Sequence, residues 1–234
     1  MSIPHENSLP LLSVVIPVLN EAAVLPSLLA TLERQLASVN FVVEVIFVDG
    51  ASVDNSAELI RAQGYSCVHS ERGRAQQMNA GAAQASAGKI IFLHADSDLA
   101  DGSFNAVVAA LDIKHWGRFD VRISGDAMMF CVIAFCMNWR SRLSGIATGD
   151  QGIFVRRASF EKAGSFPSQA LMEDIALSAR LRKLSSPACL KLKICTSGRR
   201  WQQRGIWRTI FLMWRLRFTY WLGASPQKLA KRYE

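Results

Sequence analysis

The feature that most constrains the fold is an alternation in the first hundred residues. β-Branched apolar runs of strand length take turns with segments whose apolar residues recur every three or four positions. "LLSVVIPV" at 11–18 reads as a strand, after which Ala22, Leu25, Leu28, Leu29, Leu32 and Leu36 fall on one face of a helix. "FVVEVIFV" at 41–48 is a second strand, and the turn "DGASVDNS" offers Ser52 or Asp54 as the cap of a helix reaching Gln63. "YSCVH" leads through "SERGR" into the alanine-rich "AQQMNAGAAQASA", which Gly88 closes before a strand beginning at Lys89. Four strands joined through helices imply an α/β fold: a mostly parallel sheet with helices on both faces.

After residue 100 the rhythm changes. A helix over Asp101–Leu111 precedes a strand around "RFDVRI", then "DAMMFCVIAFCMNW", apolar on almost every face and shorter than the ~20 residues a spanning helix needs, predicts a buried helix. "QGIFVRR" reads as a strand, "ALMEDIALSARLRKL" as an amphipathic helix and "CLKLKI" as an alternating edge strand. No repeat or flexible linker interrupts the chain, and half of its 234 residues are apolar, enough for one sizeable core. The expected organisation is therefore an N-terminal tail (1–10), a single domain (11–223) with halves at 11–100 and 101–223, and a C-terminal tail (224–234). Five scattered cysteines without a CxxC pair predict buried, reduced thiols, with neither zinc nor disulfide. "MSIPHENSLP" has no basic start or apolar run, which predicts a cytoplasmic chain.

The net charge of +8 is uneven: from Lys191 onward, eleven of the 27 Lys and Arg residues face a single acid, Glu234. Such a tail suits nucleic acid, anionic lipid or a phosphorylated substrate. In "RRWQQRGIWRTIFLMWRLRFTYWLG" the apolar residues cover too much of a helix for a solvent-exposed nucleic-acid arm, and arginines interrupt it too often for a membrane span. Residues 201–222 are thus expected either to pack on the sheet or to lie in a membrane interface, the second giving peripheral contact with the inner membrane face.

Ligands of open parallel sheets bind beyond the carboxyl ends of the strands. Asn20 and Glu21 follow the first strand, Asp49 ends the second, and His94, Asp96 and Asp98 follow the fourth. Each has a plainer explanation as a cap or turn residue, but polar groups at three strand ends could all face one crevice, and together they are harder to dismiss. Clustered carboxylates raise one another's pKa unless a cation lies between them, and Mg2+ or Mn2+ binds through one or two carboxylates plus substrate phosphates. Arg72 and Arg74 flank a glycine at a helix N-terminus, where amides and guanidinium groups favour phosphate.

"VVIPVLNE", "VIFVDGASVDNS", "RGRAQQMNAG", "FLHADSD" and "MEDIALSARLR" occur in the order found in family 2 glycosyltransferases of the GT-A (nucleotide-diphosphosugar transferase-like) fold. The chain most resembles the branch labelled "transferase 2, rSAM/selenodomain-associated", over about Leu11–Gly223. The resemblance implies a nucleotide-diphosphosugar donor, UDP- or GDP-linked, a divalent cation, and inverting transfer to an acceptor hydroxyl on a lipid-linked or small molecule. It assigns Pro17, Asn20 and Glu21 to the nucleotide border and Asp49 to the base. "HADSD" matches the DxD signature with His94 in place of the usual first acid. Asp96 is then the metal ligand, with Asp98 as a second candidate and His94 touching ribose or metal. Arg72, Arg74 and Gln77, with Asn79 nearby, line the donor, and Arg199 and Arg200 reach its diphosphate. Asp174 becomes the general base and Glu173 its neighbour; adjacent helical residues diverge by ~100°, so the two cannot point the same way. Asp150 and Gln151 approach the acceptor side.

Two alternatives stay open at this level. A nucleotidyltransferase of similar fold would carry a glycine-rich phosphate loop after the first strand, and "PVLNEAAVL" has no glycine. A non-catalytic module binding nucleotide sugar or membrane surface would tolerate Asp174→Asn.

Overall fold

The computed structural model describes residues 9–233, apart from the side chains of Arg200 and Gln202; of the expected N-terminal tail, residues 1–8 lie outside the described residues. The first half alternates as the periodicity requires: β1 (Leu12–Val18), α1 (Leu25–Ala37), β2 (Val43–Asp49), α2 (Ser56–Ala62), β3 (Ser66–His69), α3 (Arg74–Gln84) and β4 (Lys89–Phe92). The second half runs β5 (Asp98–Leu99), α4 (Ser103–Ile113), β6 (Trp116–Ile123), α5 (Met128–Ser144), a 3-10 turn at Gly149–Gln151, β7 (Phe154–Arg156), α6 (Arg157–Lys162), α7 (Glu173–Arg182), β8 (Ala188–Thr196), α8 (Arg199–Arg204), α9 (Ile206–Trp221) and α10 (Pro226–Tyr233).

All eight strands form one sheet in the order β3-β2-β1-β4-β7-β6-β8-β5. β1 to β4 are parallel, β7 is antiparallel to both β4 and β6, and β6 is parallel to β8. Side chains alternate along β1, so the two faces have separate cores. Leu12, Val14, Ile16 and Val18 meet Leu25, Leu28 and Leu32 of α1, Ile60 of α2 and Phe104 of α4. Val15 faces the other way, toward Ala75 and Met78 of α3 and Leu177 of α7. Each such fully buried aliphatic side chain contributes roughly 1.5–3 kcal/mol. Gly81 lets α3 press onto the sheet: a Cβ there would stand 2.4 Å from Val15 Cγ1.

One proline shapes the crevice. Leu93 donates its N–H to Val15 O at 3.0 Å, and the next β1 donor on that side would be residue 17. Pro17 has no N–H, so the ladder ends there and the chain beyond β4 is free to leave the sheet at His94.

Three expectations are corrected. α5 is half-exposed rather than buried, because Met128, Val132, Phe135, Trp139 and Leu143 face solvent in a stripe at helical spacing. Cys131 and Cys136 on that helix are exposed and the other three cysteines are half-buried, so none is a core residue. Part of the expected C-terminal tail is ordered as α10, whose Leu229 buries against Leu216 of α9 and Met172. β8 is an edge for most of its length, and two-residue β5 covers it at Ile194 and Cys195. No described helix is long and apolar enough to cross a membrane.

Candidate functional site

The carboxyl ends of β1, β2 and β4, the start of α3 and the start of α7 converge on one edge of the sheet. Two loops there are fastened by side chains. Asn20, in the left-handed region at φ 56°, accepts the Val53 N–H at 2.8 Å, while its own N–H donates to Ser52 Oγ at 2.9 Å. Ser56 and Asp54 accept the N–H groups of Glu21 and Ala22 at 2.9 and 3.0 Å. Buried Asp49 accepts the Ser52 N–H at 3.2 Å and lies 3.8 Å from His69 Nδ1. The side chains of Asn20 and Asp49 therefore fix the shape of the crevice wall.

Beyond that wall, Glu21 is half-buried, and burial followed by the nearby Asp96 carboxylate pushes its pKa above the ordinary range, against the pull of Arg74 and Arg199. Glu21, Asp96, Arg74 and Arg199, from four separate segments, thus share one electrostatic neighbourhood. Arg74 is the first residue of α3 and Arg72 is exposed in the loop before it; Gly73 between them has φ 144°. The Arg200 side chain lies outside the described residues.

Glu173 and Asp174 diverge as helical geometry demands. Glu173 is buried and its pKa rises to about 7, through burial and then the neighbouring Asp174, with Arg74 opposing. It therefore looks toward the arginine loop. Asp174 turns the other way: it accepts the Gly149 N–H at 2.7 Å and the Ile175 N–H at 2.7 Å. Burial holds its carboxyl above the ordinary range despite those two bonds. His94 packs on the same glycine, since a Cβ on Gly149 would lie 2.6 Å from His94 Nε2. The end of β4 and the start of α7 thus meet across Gly149.

Two expected site residues are absent from this meeting. Gln77 is buried under the sheet and gives both amide hydrogens to backbone, Val18 O and Val48 O at 2.8 Å each, so it ties β1 to β2 and has no donor left for a ligand. Asp98 is on β5, where Thr31 donates to it at 2.9 Å and Arg34 pairs with it at 3.0 Å, so it points away from Asp96 into a surface ion pair. Asn79 likewise clasps the backbone of Phe166, at 2.8 and 3.0 Å.

Sequence reasoning also overlooked two cations. Arg140 of α5 and Arg217 of α9 approach each other beside Asp150 and Asp174. Burial, then Arg217, lowers the Arg140 pKa to about 10. The only sequence signal is an arginine closing each of two apolar helical runs, which marks neither as functional.

Among the described residues, no three His, Cys, Asp or Glu side chains gather to hold a metal. The donor set at the crevice is instead a pair, Asp96 and Glu21, whose mutual repulsion a cation would relieve; this fits a magnesium or manganese ion completed by substrate phosphates.

A mostly parallel sheet in which β7 and the short β5 run against the rest, flanked by helices, places the chain in the GT-A fold class. Residues 13–126, just under half of the chain, match the family model described as Glycosyl transferase family 2. Similar solved structures include TarS of S. aureus in complex with UDP-GlcNAc, 18% identical with TM-score 0.60, covering 80% of this chain and 58% of that one. The mannosyltransferase PcManGT of Pyrobaculum calidifontis, with GDP-Man and Mn2+, is 20% identical with TM-score 0.60 over 90% of this chain and 61% of its own. A curated relative, undecaprenyl-phosphate 4-deoxy-4-formamido-L-arabinose transferase of Pseudomonas paraeruginosa, is 50% identical over 52 residues, 22% of this chain and 15% of that protein. The chain thus spans less than two thirds of each of these relatives.

Proposed function

We propose that this chain is an inverting, cation-dependent glycosyltransferase that moves a sugar from a UDP- or GDP-linked donor to an acceptor hydroxyl. The observation that supports this most is the Asp174 carboxylate, held at 2.7 Å by the Gly149 N–H beside His94, with a pKa raised by burial. A carboxylate poised above its usual range is a better proton acceptor near neutral pH.

In this reading the acceptor oxygen attacks the anomeric carbon and gives its proton to Asp174. The bond from that carbon to the donor diphosphate breaks, and the diphosphate leaves with the electron pair. Attack and departure on opposite faces invert the centre without a covalent enzyme intermediate. Arg74 and Arg199 stabilise the departing charge, and Glu173, largely protonated below about pH 7, can donate a hydrogen bond on the donor side. Asp96 and Glu21 would hold the divalent cation, which supplies charge neutralisation at the diphosphate.

Supporting readings come from the relatives: PcManGT was solved with GDP-Man and Mn2+, and a glucosyl-3-phosphoglycerate synthase of Mycobacterium tuberculosis with UDP and Mn2+. Membrane contact belongs to the same proposal. Trp207, Phe211, Trp214, Phe218 and Trp221 form an exposed stripe along α9 among Arg208, Arg215 and Arg217, a composition suited to headgroup depth at an inner membrane face.

The test is titration calorimetry with UDP and GDP, each with and without Mn2+. Cation-dependent binding of one nucleotide that is lost in Asp96→Ala and kept in Asp174→Asn, with turnover lost in both, is the expected pattern. Failure of the folded protein to bind either nucleotide would refute the reading, and turnover surviving in Asp174→Asn would refute the role of that residue.

A further inference from the structure

α5 and α9 enclose a groove of about 550 Å3, open to solvent and lined by Arg140, Phe211, Trp214, Arg215, Arg217 and Phe218. Its two ends differ in chemistry. The aromatic side chains belong to the exposed stripe of α9, whereas two of the three arginines, Arg140 and Arg217, lie by Asp174 and Asp150. Nε and Nη2 of Arg140 and Nε of Arg217 are sealed from water and have no hydrogen-bond partner. Guanidinium donors buried without acceptors are costly, and native proteins seldom leave them so unless a ligand supplies the oxygens.

The number and arrangement of these donors select the ligand. Nε and Nη2 of one guanidinium form a fork that grips two oxygens, and a third donor from a second guanidinium asks for a third oxygen. A carboxylate has two oxygens and a phosphate monoester has three available ones. Asp150 and Asp174 lie close enough to balance the charge yet neither hydrogen-bonds these nitrogens, so the acceptor position at the arginines is unfilled. The aromatic wall, exposed to water, asks for an apolar occupant.

Building on the transferase reading, we propose that this groove is the acceptor subsite: Arg140 and Arg217 bind the phosphate head of an amphiphilic acceptor, and Phe211, Trp214 and Phe218 hold its apolar chain. The head is then anchored beside Asp174, the proposed base, so a hydroxyl carried elsewhere on the same amphiphile, distinct from the phosphate oxygens the arginines hold, reaches the site from the α5–α9 side while the donor enters from the Arg74 side. The substrate class is an anionic amphiphile, met in a lipid layer or free in solution.

The test is calorimetric titration of the full chain with dodecyl phosphate below its aggregation concentration. Dodecanol, inorganic phosphate and, separately, UDP and GDP with Mn2+ complete the set. Dodecyl phosphate should bind at least tenfold more tightly than either half of the molecule alone. Arg140→Gln and Arg217→Gln should each weaken it tenfold or more and leave nucleotide binding within twofold, while Arg140→Lys, which retains the charge, should lose less. Melting temperatures identify any variant that fails to fold, and Arg217→Gln then stands for Arg140→Gln. Equal binding of dodecanol and dodecyl phosphate, or unchanged affinity in both glutamine variants, would overturn the subsite.

Vesicles separate the two sources. Binding to phosphatidic acid vesicles that survives in Arg140→Gln, with no binding of soluble dodecyl phosphate to the wild type, would overturn the subsite and assign the face to the bilayer surface. Loss of both in Arg140→Gln would support it. Dodecyl phosphate binding without nucleotide binding would sink the transferase reading and leave the subsite standing; the reverse would sink the subsite alone.

Discussion

Gly149→Ala is the change whose consequence the structure specifies most closely. The added Cβ would stand 2.6 Å from His94 Nε2 and 3.7 Å from Asp174 Oδ2. An unstrained contact needs ~3.5 Å, so the imidazole must retreat by roughly 0.9 Å. The backbone there cannot follow, because Phe92 and Leu93 donate their N–H groups to Ile153 O and Val15 O at 2.8 and 3.0 Å. The ring must leave its rotamer, or Gly149 must withdraw its N–H from Asp174. The first costs about 0.5–1.5 kcal/mol and the second about 1.5–3 kcal/mol, as a hydrogen bond to a charged group. A total near 2 kcal/mol lowers the melting temperature by about 4–8 °C in a chain of this size. Weakening a bond that favours the ionised carboxylate raises the Asp174 pKa still further. Nucleoside diphosphate release measured against pH should therefore show its rising limb displaced upward and its plateau reduced about tenfold or more. A variant with wild-type melting and an unmoved limb would refute the idea that Gly149 joins the two halves of the site.

Gln77→Ala strips the donors from two buried carbonyls at ~1–3 kcal/mol each, so calorimetric melting should fall by roughly 4–24 °C even though both Gln77 donors are spent on backbone and none reaches a ligand. Asp98→Asn breaks an ion pair whose side chains are about half exposed, worth ~0–1 kcal/mol; cation-dependent nucleotide binding should be unchanged, and its loss would restore Asp98 as a metal ligand. Glu173 is raised from 4.5 to about 7, so between those values the native state holds a proton the unfolded chain has released, and the stability it contributes is lost as pH rises through about 7. Melting followed from pH 4 to 8 should accordingly decline less steeply in Glu173→Gln than in the wild type.

The architecture was largely legible because it depends on period. Alternating apolar runs give parallel strands, and the sheet then delivers β1, β2 and β4 to one edge whatever their loops contain. The divergence of Glu173 and Asp174 was legible for a related reason: two acids opening a helix must point apart. Direction within a loop is not periodic, and there the reading failed. Asp98 is two positions from Asp96, yet the chain turns between them and Asp98 belongs to Arg34. Gln77 is on the side of α3 that faces the sheet, where bare strand carbonyls claim it before any ligand. Arg140 and Arg217 come from helices 77 residues apart in sequence, and only the packing of α5 against α9 brings them together. The exposed stripe of α5 was mistaken for core because apolar spacing gives the face of a helix and not what covers it.

Met172 has a left-handed backbone, φ 67°, unusual for a residue with a side chain and costing roughly 1–2 kcal/mol. Its side chain is gripped by Leu216 and Leu229, and the next peptide bond leads to Glu173. The helices at the end of the chain therefore act as a vice on a strained joint next to the acids. One side chain, Met172, thus touches both of the last two helices and stands a single peptide bond before the first of the two acids, so the groove wall and the start of α7 share a common footing.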